Sequence, residues 1–222
     1  GGTSGGARPK ILTEIDGEDW IIKFPTYVDE RDAGMIEYQY LICAGKCGIN
    51  MPQTRLFHSD KCQGYFGVKR FDRKKENNET KKIHMLTAAA LLEIYFNQPC
   101  MDYNDLMKLT KILTNNNWDD IDNMYRRMCF NVYAHNRDDH AKNFTYIYDE
   151  ENETWRLSPA YDLTYSNTYY GEHTTTVAGN GRNPGIKELT EVGVNAGLKK
   201  QYCEEVAGEI RGLVEDMLNN YI

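Results

Sequence analysis

One polar stretch constrains the fold of this chain more than any other. Residues 136–143 read Asn-Arg-Asp-Asp-His-Ala-Lys-Asn, and Asp162 follows nineteen residues after Asn143. Between them, residues 144–148 alternate in polarity, residues 149–153 are turn-like, and residues 155–157 alternate again, which predicts a β-hairpin. Such a hairpin brings its two ends together. The fold must therefore place Asn143 and Asp162 at the same end of a sheet.

The acids and the amide of this stretch suit metal-assisted phosphoryl transfer from ATP. One carboxylate orients a hydroxyl nucleophile, while an amide and a second carboxylate hold Mg²⁺ ions. Asp138 and Asn143 have the Asp-x-x-x-x-Asn spacing of a protein-kinase catalytic loop, and Asp162 follows where the next metal-binding aspartate is expected. Each residue alone would more often be a turn former. Together they predict Asp138 as the catalytic residue and Asn143 and Asp162 as metal ligands.

The other polar residues of the loop allow more than one role. His140 stands where a kinase lysine touches the γ-phosphate, so it either donates to the transferred group or holds the loop by hydrogen bonds. Lys142 is a candidate for contact with the phosphates or the substrate, although a solvent-facing charge is the simpler interpretation. Asp139 is interpreted as a solvated loop residue.

Four runs, spread in order over nearly the whole chain, carry a family resemblance. They are Gly5-Gly6-Ala7-Arg8-Pro9-Lys10, Arg70-Phe71-Asp72-Arg73, residues 138–144 and residues 158–163. These runs resemble the HipA family of bacterial serine/threonine kinases, the toxins of type II toxin–antitoxin systems. The resemblance implies an α+β, two-lobed protein-kinase-like fold that uses ATP and Mg²⁺. It also implies a HipB-like helix-turn-helix antitoxin as partner.

The glycine-rich opening is a candidate phosphate-binding loop. Residues 11–15 and 19–24 read as a hairpin around Asp16-Gly17, and a glycine-rich turn beside strands can bring backbone N–H groups close to phosphate. Gly5, Gly6 and Lys10 are the candidate nucleotide-binding residues here. A flexible terminus has the same composition, so the glycines alone decide nothing.

The resemblance adds two expectations at the start of the chain. Thr3 stands where the family often has an autophosphorylated serine, which makes Thr3 and its neighbour Ser4 candidate phosphate acceptors, with the departure from serine putting that regulation in doubt. Longer family members also carry a further N-terminal subdomain. We expect that subdomain on a separate polypeptide or outside this sequence.

Lys23 is the one charged residue of the apolar stretch formed by residues 20–25. A buried lysine needs a compensating anion. Glu37, on a helix predicted over residues 30–47, is one candidate anion and ATP phosphate is the other. The two side chains would then form the lysine–glutamate pair that grips the α- and β-phosphates in kinases. The alternative is a surface lysine on an edge strand.

The remaining pattern predicts a small β-rich N-lobe over residues 1–82 and a mainly helical C-lobe over residues 83–222. Residues 53–58 and 63–71 read as strands, and the second leads into a hinge between the lobes. The charges of residues 70–73 match the family motif, but could equally form a solvated salt-bridge cluster. Apolar spacing of three and four predicts the helices: residues 83–96, 103–113, 118–134, 186–195 and 199–219.

Composition restricts where the protein is expected to act and what it is expected to bind. With 222 residues, of which 41% are hydrophobic, the chain can bury a substantial core. Its apolar runs are far shorter than a membrane span and no signal segment opens it, so we expect a cytoplasmic protein without membrane binding. A net charge of −7 argues against direct nucleic-acid binding. The six scattered cysteines are interpreted as buried thiols rather than zinc ligands.

The leading functional hypothesis is an ATP-dependent serine/threonine protein kinase. The resemblance suggests a translation component, such as an aminoacyl-tRNA synthetase, as the protein substrate. One alternative is a phosphoinositide-type lipid kinase, whose loop also fits Asp138-x-His140-x-x-Asn143. The net negative charge of the chain argues against it, because anionic membranes attract basic surfaces. The other is a catalytically silent module that binds a nucleotide or an antitoxin.

Overall fold

The computed structural model describes residues 8–25, 32–98, 102–168 and 171–222. The candidate residues Thr3, Ser4, Gly5 and Gly6 lie outside these ranges. Within the described residues the chain forms nine strands, six α-helices and a short 3₁₀ helix (Ala141–Asn143). The strands are β1 (Lys10–Ile15), β2 (Glu18–Lys23), β3 (Thr54–Phe57), β4 (Tyr65–Lys69), β5 (Arg73–Glu76), β6 (Glu79–Lys82), β7 (Met85–Thr87), β8 (Thr145–Asp149) and β9 (Thr154–Leu157). The helices are α1 (Ala33–Lys46), α2 (Ala88–Phe96), α3 (Tyr103–Leu113), α4 (Trp118–Tyr133), α5 (Ile186–Asn195) and α6 (Lys200–Leu218).

The N-terminal part is a four-stranded antiparallel sheet in the order β1-β2-β4-β3. The predicted turn at Asp16 and Gly17 is confirmed, and both residues have positive φ angles, of 51° and 79°, as a tight two-residue hairpin turn requires. Helix α1 packs against β3 and β4. Because β2 lies between β1 and β4, Lys23 at its end is not on an edge strand.

Helix α4 lies at the centre of the helical part. Its predicted apolar stripe is confirmed, since the side chains of Ile121, Met124, Tyr125, Met128 and Cys129 are all fully buried. Helix α4 packs against α3, α5 and α6. Its N-terminus is capped by the side chain of Asn117, which accepts a hydrogen bond from the Asp120 N–H group at 3.2 Å. Its C-terminus leads directly into residues 136–143.

The predicted helix over residues 83–96 is wrong at its start. Residues 85–87 form β7, which pairs with β8 in a second antiparallel sheet of order β7-β8-β9. The helix begins only at Ala88, because the Thr87 hydroxyl accepts a hydrogen bond from the Ala90 N–H group at 3.2 Å and so caps it. The predicted hairpin of residues 144–157 is confirmed as β8 and β9.

None of the described helices is long and apolar enough to cross a membrane. Cys43, Cys47, Cys129 and Cys203 are buried free thiols as predicted, and Cys62 is half-buried. Cys100 lies outside the described residues.

Two glycines provide a test of how tightly α5 and α6 pack. A Cβ atom at Gly193 would lie 2.4 Å from the Cys203 sulfur and 2.9 Å from the Tyr125 ring, whereas one at Gly208 would meet nothing within 4 Å. Both glycines lie inside helices, so alanine improves helix propensity equally at each. We expect Gly193→Ala to lower the free energy of unfolding by about 1–3 kcal/mol through overpacking, and Gly208→Ala to raise it by up to about 1 kcal/mol. Urea unfolding measures both, and equal effects of the two substitutions would contradict the described packing.

Candidate active site

A cleft of about 510 Å³ lies between the N-terminal sheet and the helical part. One wall comes from β1, β2 and α1, and the other from residues 136–143 and the segment after β9. Six of the predicted site residues line it, namely Lys10, Lys23, Glu37, Asp138, Asn143 and Asp162. The fold therefore brings together in one cleft residues that are far apart in the sequence.

Lys23 links the two walls of the cleft. Its Nζ atom donates to Glu37 Oε1 at 2.7 Å and to Asp162 Oδ1 at 2.7 Å. The Glu37 side chain is only 2% exposed, whereas that of Asp162 is 50% exposed. The predicted pairing of Lys23 with Glu37 is thus present, and the ion pair with Asp162 joins β2 to the segment that follows β9.

The two carboxylates decide the charge of Lys23. Burial by itself would lower the pKa of Lys23, but the negative charges of Glu37 and Asp162, and the hydrogen bonds to them, outweigh burial and hold this pKa above its ordinary value. Lys23 is therefore a cation at neutral pH. A fixed positive charge in a cleft suits an anionic ligand.

Arg8 is a cleft residue that the sequence analysis missed. It was noted only as part of the glycine-rich run, yet its guanidinium lines the cleft and forms an ion pair with Glu37. Glu37 thus carries two cations, Arg8 and Lys23. The sequence shows an arginine two residues before Lys10. Spacing alone does not reveal that this arginine pairs with the same glutamate as Lys23.

Asp162 has an unusual backbone conformation. Its φ angle is 53°, in the left-handed region, which aspartate and asparagine tolerate better than most other residues. The neighbouring side chains of Ala160 and Leu163 are buried. The turn therefore leaves a carboxylate exposed at the cleft between two apolar residues that are fixed in the core.

Asp138 and Asn143 lie at the two ends of the short loop that includes the 3₁₀ helix. The Asp138 side chain is exposed and lines the cleft. The side-chain amide nitrogen of Asn143 donates to the Asp138 carbonyl oxygen at 2.7 Å. Because this bond uses the nitrogen, the amide oxygen of Asn143 is the atom that can bind a cation.

His140 and Lys142 occupy the outer side of this loop. Nδ1 of His140 accepts a hydrogen bond from the Lys142 N–H group at 3.2 Å and caps the 3₁₀ helix, which supports the loop-holding alternative for His140. The Lys142 side chain is exposed, and its carbonyl accepts from the Tyr161 hydroxyl at 2.9 Å. Among the described residues that line the cleft, neither His140 nor Lys142 is present.

The interpretation of Asp139 as a solvated residue is wrong. Its side chain is buried and accepts hydrogen bonds from the Tyr103 hydroxyl at 2.6 Å, from Nδ1 of His173 at 2.9 Å and from the Thr175 N–H group at 3.2 Å. A buried carboxylate needs such donors. All three come from distant parts of the chain, so no local pattern could reveal them.

Arg127 holds the chain segment that leads to Asp162. This fully buried residue of α4 donates to the Ser158 carbonyl oxygen at 2.6 Å and to Asn123 Oδ1 at 3.0 Å. Burial lowers the pKa of Arg127 to about 10, so it remains charged at neutral pH. Its contact fixes the chain just before Asp162. Nothing in the sequence indicates this role, since Arg127 lies outside the apolar stripe of α4 and its partner Ser158 lies 31 residues later.

The charges of residues 70–73 form a salt-bridge cluster. Asp72 accepts two hydrogen bonds from Arg70, at 2.9 and 2.8 Å, and one from Arg73 at 2.8 Å. The hydrogen-bonded Arg70 guanidinium keeps the pKa of Asp72 below its usual value. The cluster is only partly exposed. It therefore agrees with the salt-bridge alternative, except that it is less solvated than expected.

Comparison with known proteins identifies the family. Residues 2–218 match the HipA-like C-terminal domain. The chain belongs to this family. A relative named "Putative kinase Y4dM", from Sinorhizobium fredii, is 26% identical over 182 residues, which are 75% of this chain and 42% of Y4dM.

Two solved structures of similar fold agree with this assignment. HipA of Shewanella oneidensis MR-1, in a complex with HipB and operator DNA, superposes with a TM-score of 0.73 at 17% identity, over 98% of this chain and 58% of that one. The Helicobacter pylori proinflammatory kinase CtkA superposes with a TM-score of 0.59 at 11% identity, over 94% of this chain and 92% of CtkA. The predicted α+β, two-lobed protein-kinase-like fold is confirmed. The chain spans about half the length of Y4dM and of the Shewanella HipA.

The buried ion pair at Lys23 can be tested by stability alone. Lys23→Met leaves the buried Glu37 with fewer partners, so we expect a loss of about 3 kcal/mol in the free energy of unfolding. The control Lys69→Met removes an exposed pair with Glu18 and should cost less than about 1 kcal/mol. The double variant Lys23→Met/Glu37→Met should recover part of the loss, as urea unfolding would measure. Equal costs for the two lysine variants would show that the Lys23 pair is not buried as described.

Proposed function

We propose that this chain is an ATP-dependent serine/threonine protein kinase. The observation that carries the proposal is the single cleft in which Lys23 bridges the buried Glu37 and the exposed Asp162, with Asp138 and Asn143 on the same surface. These residue types are the ones that phosphoryl transfer from ATP requires. The proposed lobes are residues 1–82 and 83–222, with the cleft between them.

The positively charged wall of the cleft is proposed to bind the phosphates of ATP. Lys23, held charged by its two carboxylates, and Lys10 line it together with Arg8. Gly5 and Gly6 would add backbone N–H groups just before these residues. Glu37 orients Lys23, since its buried carboxylate accepts one of the three ammonium protons. This division of roles leaves the remaining ammonium protons for phosphate and for Asp162.

The opposite wall is proposed to hold Mg²⁺ and the acceptor hydroxyl. The carboxylate of Asp162 and the amide oxygen of Asn143 are hard oxygen donors of the kind that Mg²⁺ prefers. When bound, the metal supplies positive charge that stabilises the transferring phosphate. Asp138, exposed in the cleft, orients the serine or threonine hydroxyl and accepts its proton. His140 supports this wall by capping the turn that carries Asn143, and Lys142 is left for contact with the substrate.

The substrate and the partner that we propose for this chain rest on its family membership. The Shewanella HipA structure contains HipB and operator DNA, and we propose a HipB-like helix-turn-helix antitoxin as the partner of this chain. We further propose a protein substrate from the translation apparatus in the cytoplasm, for which an aminoacyl-tRNA synthetase is the first candidate. Thr3 and Ser4 remain candidate autophosphorylation sites.

Asp138→Asn tests the catalytic assignment. Because the amide cannot accept the hydroxyl proton, we expect phosphate transfer to fall by at least about 100-fold, while the Kd for ATP changes by less than about twofold. The control is Asp216→Asn on the exposed face of α6, which should leave both unchanged. The assay is transfer from γ-labelled ATP with Mg²⁺, using the purified chain alone and with a bacterial lysate, followed by mass spectrometry.

The location of the label separates the alternatives. Label on a protein serine or threonine that is lost in Asp138→Asn supports the protein kinase and identifies its target. Label on lipid would instead favour the lipid kinase. ATP binding without transfer to either would favour the silent binding module.

Asp162→Asn tests the metal assignment separately. The substitution removes one negative charge, so without Mg²⁺ the variant should bind ATP at least as tightly as the wild type. With Mg²⁺ present, we expect the variant to lose the increase in ATP affinity that the wild type gains. Calorimetric titration in EDTA and in Mg²⁺ measures both values. An equal Mg²⁺ effect in the variant and in the wild type would exclude Asp162 as a ligand.

A further inference from the structure

Asp138 and Asp139 are adjacent in the loop but have opposite environments. The Asp138 side chain is exposed in the cleft, whereas Asp139 is only 1% exposed. The two residues share one peptide bond, and their Cα atoms are therefore about 3.8 Å apart. The direction of the Asp138 side chain therefore depends on where the Asp139 side chain is held.

The Asp139 carboxylate is held by three donors from two parts of the chain, α3 and the segment after Asp162. The Tyr103 hydroxyl of α3 and Nδ1 of His173 both donate to Oδ2, at 2.6 and 2.9 Å, and the Thr175 N–H group donates to Oδ1 at 3.2 Å. His173 and Thr175 are themselves buried. In the contact with Asp139, Nδ1 of His173 is the donor and the carboxylate oxygen is the acceptor. In a low-dielectric interior, a carboxylate with three hydrogen-bond donors fixes its surroundings strongly.

The same network continues to the wall of the cleft. The Tyr103 hydroxyl accepts from the Asn131 amide at 3.0 Å, and Asn131 Oδ1 accepts from the Asn136 amide at 2.9 Å. Asn136 is buried and also lines the cleft. A continuous chain of hydrogen bonds thus runs from His173 to the first residue of the loop.

Backbone contacts fasten the loop to the segment that follows Asp162. The Ser166 N–H group donates to the His135 carbonyl at 3.0 Å, and the Thr174 N–H group donates to the Arg137 carbonyl at 3.0 Å. The Thr175 hydroxyl also donates to the Asp139 carbonyl at 2.6 Å. Segments 164–168 and 171–177 are therefore both hydrogen-bonded to the backbone of the loop or of the residue just before it. His173 is the residue of this segment whose side chain reaches the Asp139 carboxylate.

We propose that Asp139 and His173 are positioning residues for Asp138. The buried His173–Asp139 pair holds the loop so that the neighbouring Asp138 carboxylate faces the acceptor hydroxyl, and it makes this geometry depend on the segment after Asp162. Neither residue touches a reactant. The inference rests on the proposed function, because it assumes that Asp138 orients the hydroxyl.

Matched variants separate positioning from general stability. His173→Leu removes the donor to Asp139, while His173→Asn places a side-chain N–H donor close to the position of Nδ1. Tyr125→Phe is the control, since it removes another buried hydrogen bond, from the Tyr125 hydroxyl to the Cys203 carbonyl at 2.8 Å, far from the loop. Two measurements are made on each variant: the kinetics of phosphate transfer, and hydrogen exchange of the amides of residues 134–144.

We expect His173→Leu to lower kcat by at least about 10-fold, with the KM for ATP changed by less than about twofold, because only the orientation of Asp138 is lost. His173→Asn should recover most of this loss, and Tyr125→Phe should show none. Exchange in residues 134–144 should be faster in His173→Leu than in Tyr125→Phe. A kcat for His173→Leu equal to that of Tyr125→Phe would overturn the proposal.

Hydrogen exchange tests whether the His173–Asp139 pair holds the loop, and it does so without requiring kinase activity. If the wild-type chain transfers no phosphate, the proposed kinase activity fails, but exchange still tests the holding of the loop. Faster exchange in His173→Leu than in the control then supports the positioning role of the pair. Equal exchange in the two variants overturns it.

Discussion

The ion pairs of Lys23 are the interaction on which the site depends. One ammonium group binds a glutamate buried on α1 and an aspartate exposed after β9, and thereby joins the sheet to the helical lobe across the cleft. Burial lowers the pKa of this lysine, but the charges of the two carboxylates and the hydrogen bonds to them outweigh burial and hold the pKa above its ordinary value. The contact joins three residues that are far apart in the sequence. A ligand that neutralises Lys23 would compete with Asp162 for it.

Sequence patterns predicted the parts of the fold that depend on local periodicity. Apolar spacing of three to four residues predicted the stripe of α4. The preference of Asp-Gly for two-residue hairpins predicted the turn at Asp16 and Gly17. Met85 and Leu86 were placed in a helix because their spacing also fits one. They form a strand because β8, which lies almost sixty residues later, offers a pairing edge. Local pattern cannot register such a distant partner.

The same limit applies to the candidate site. Spacing was sufficient to place Asp138, Asn143 and Asp162 close together, since these residues lie on one hairpin and the loop before it. It failed for Asp139, because burial of a carboxylate is decided by donors from α3 and from the segment after Asp162. Arg8 was missed for a similar reason, since its partner Glu37 lies on another element. The residues that sequence reasoning missed are those whose role depends on tertiary contacts.

Helix α4 holds the hairpin β8–β9 at both of its ends. The loop that leads into β8 continues from the C-terminus of α4, and Arg127 in the same helix fixes the Ser158 carbonyl just after β9. The separation of Asn143 and Asp162 is therefore fixed by the β8–β9 pairing and by the contact with α4, and not by the length of the turn at residues 150–153. That turn lies at the far, exposed end of the hairpin. The turn can accordingly be lengthened, or a peptide tag inserted there, without moving the two residues that face the cleft.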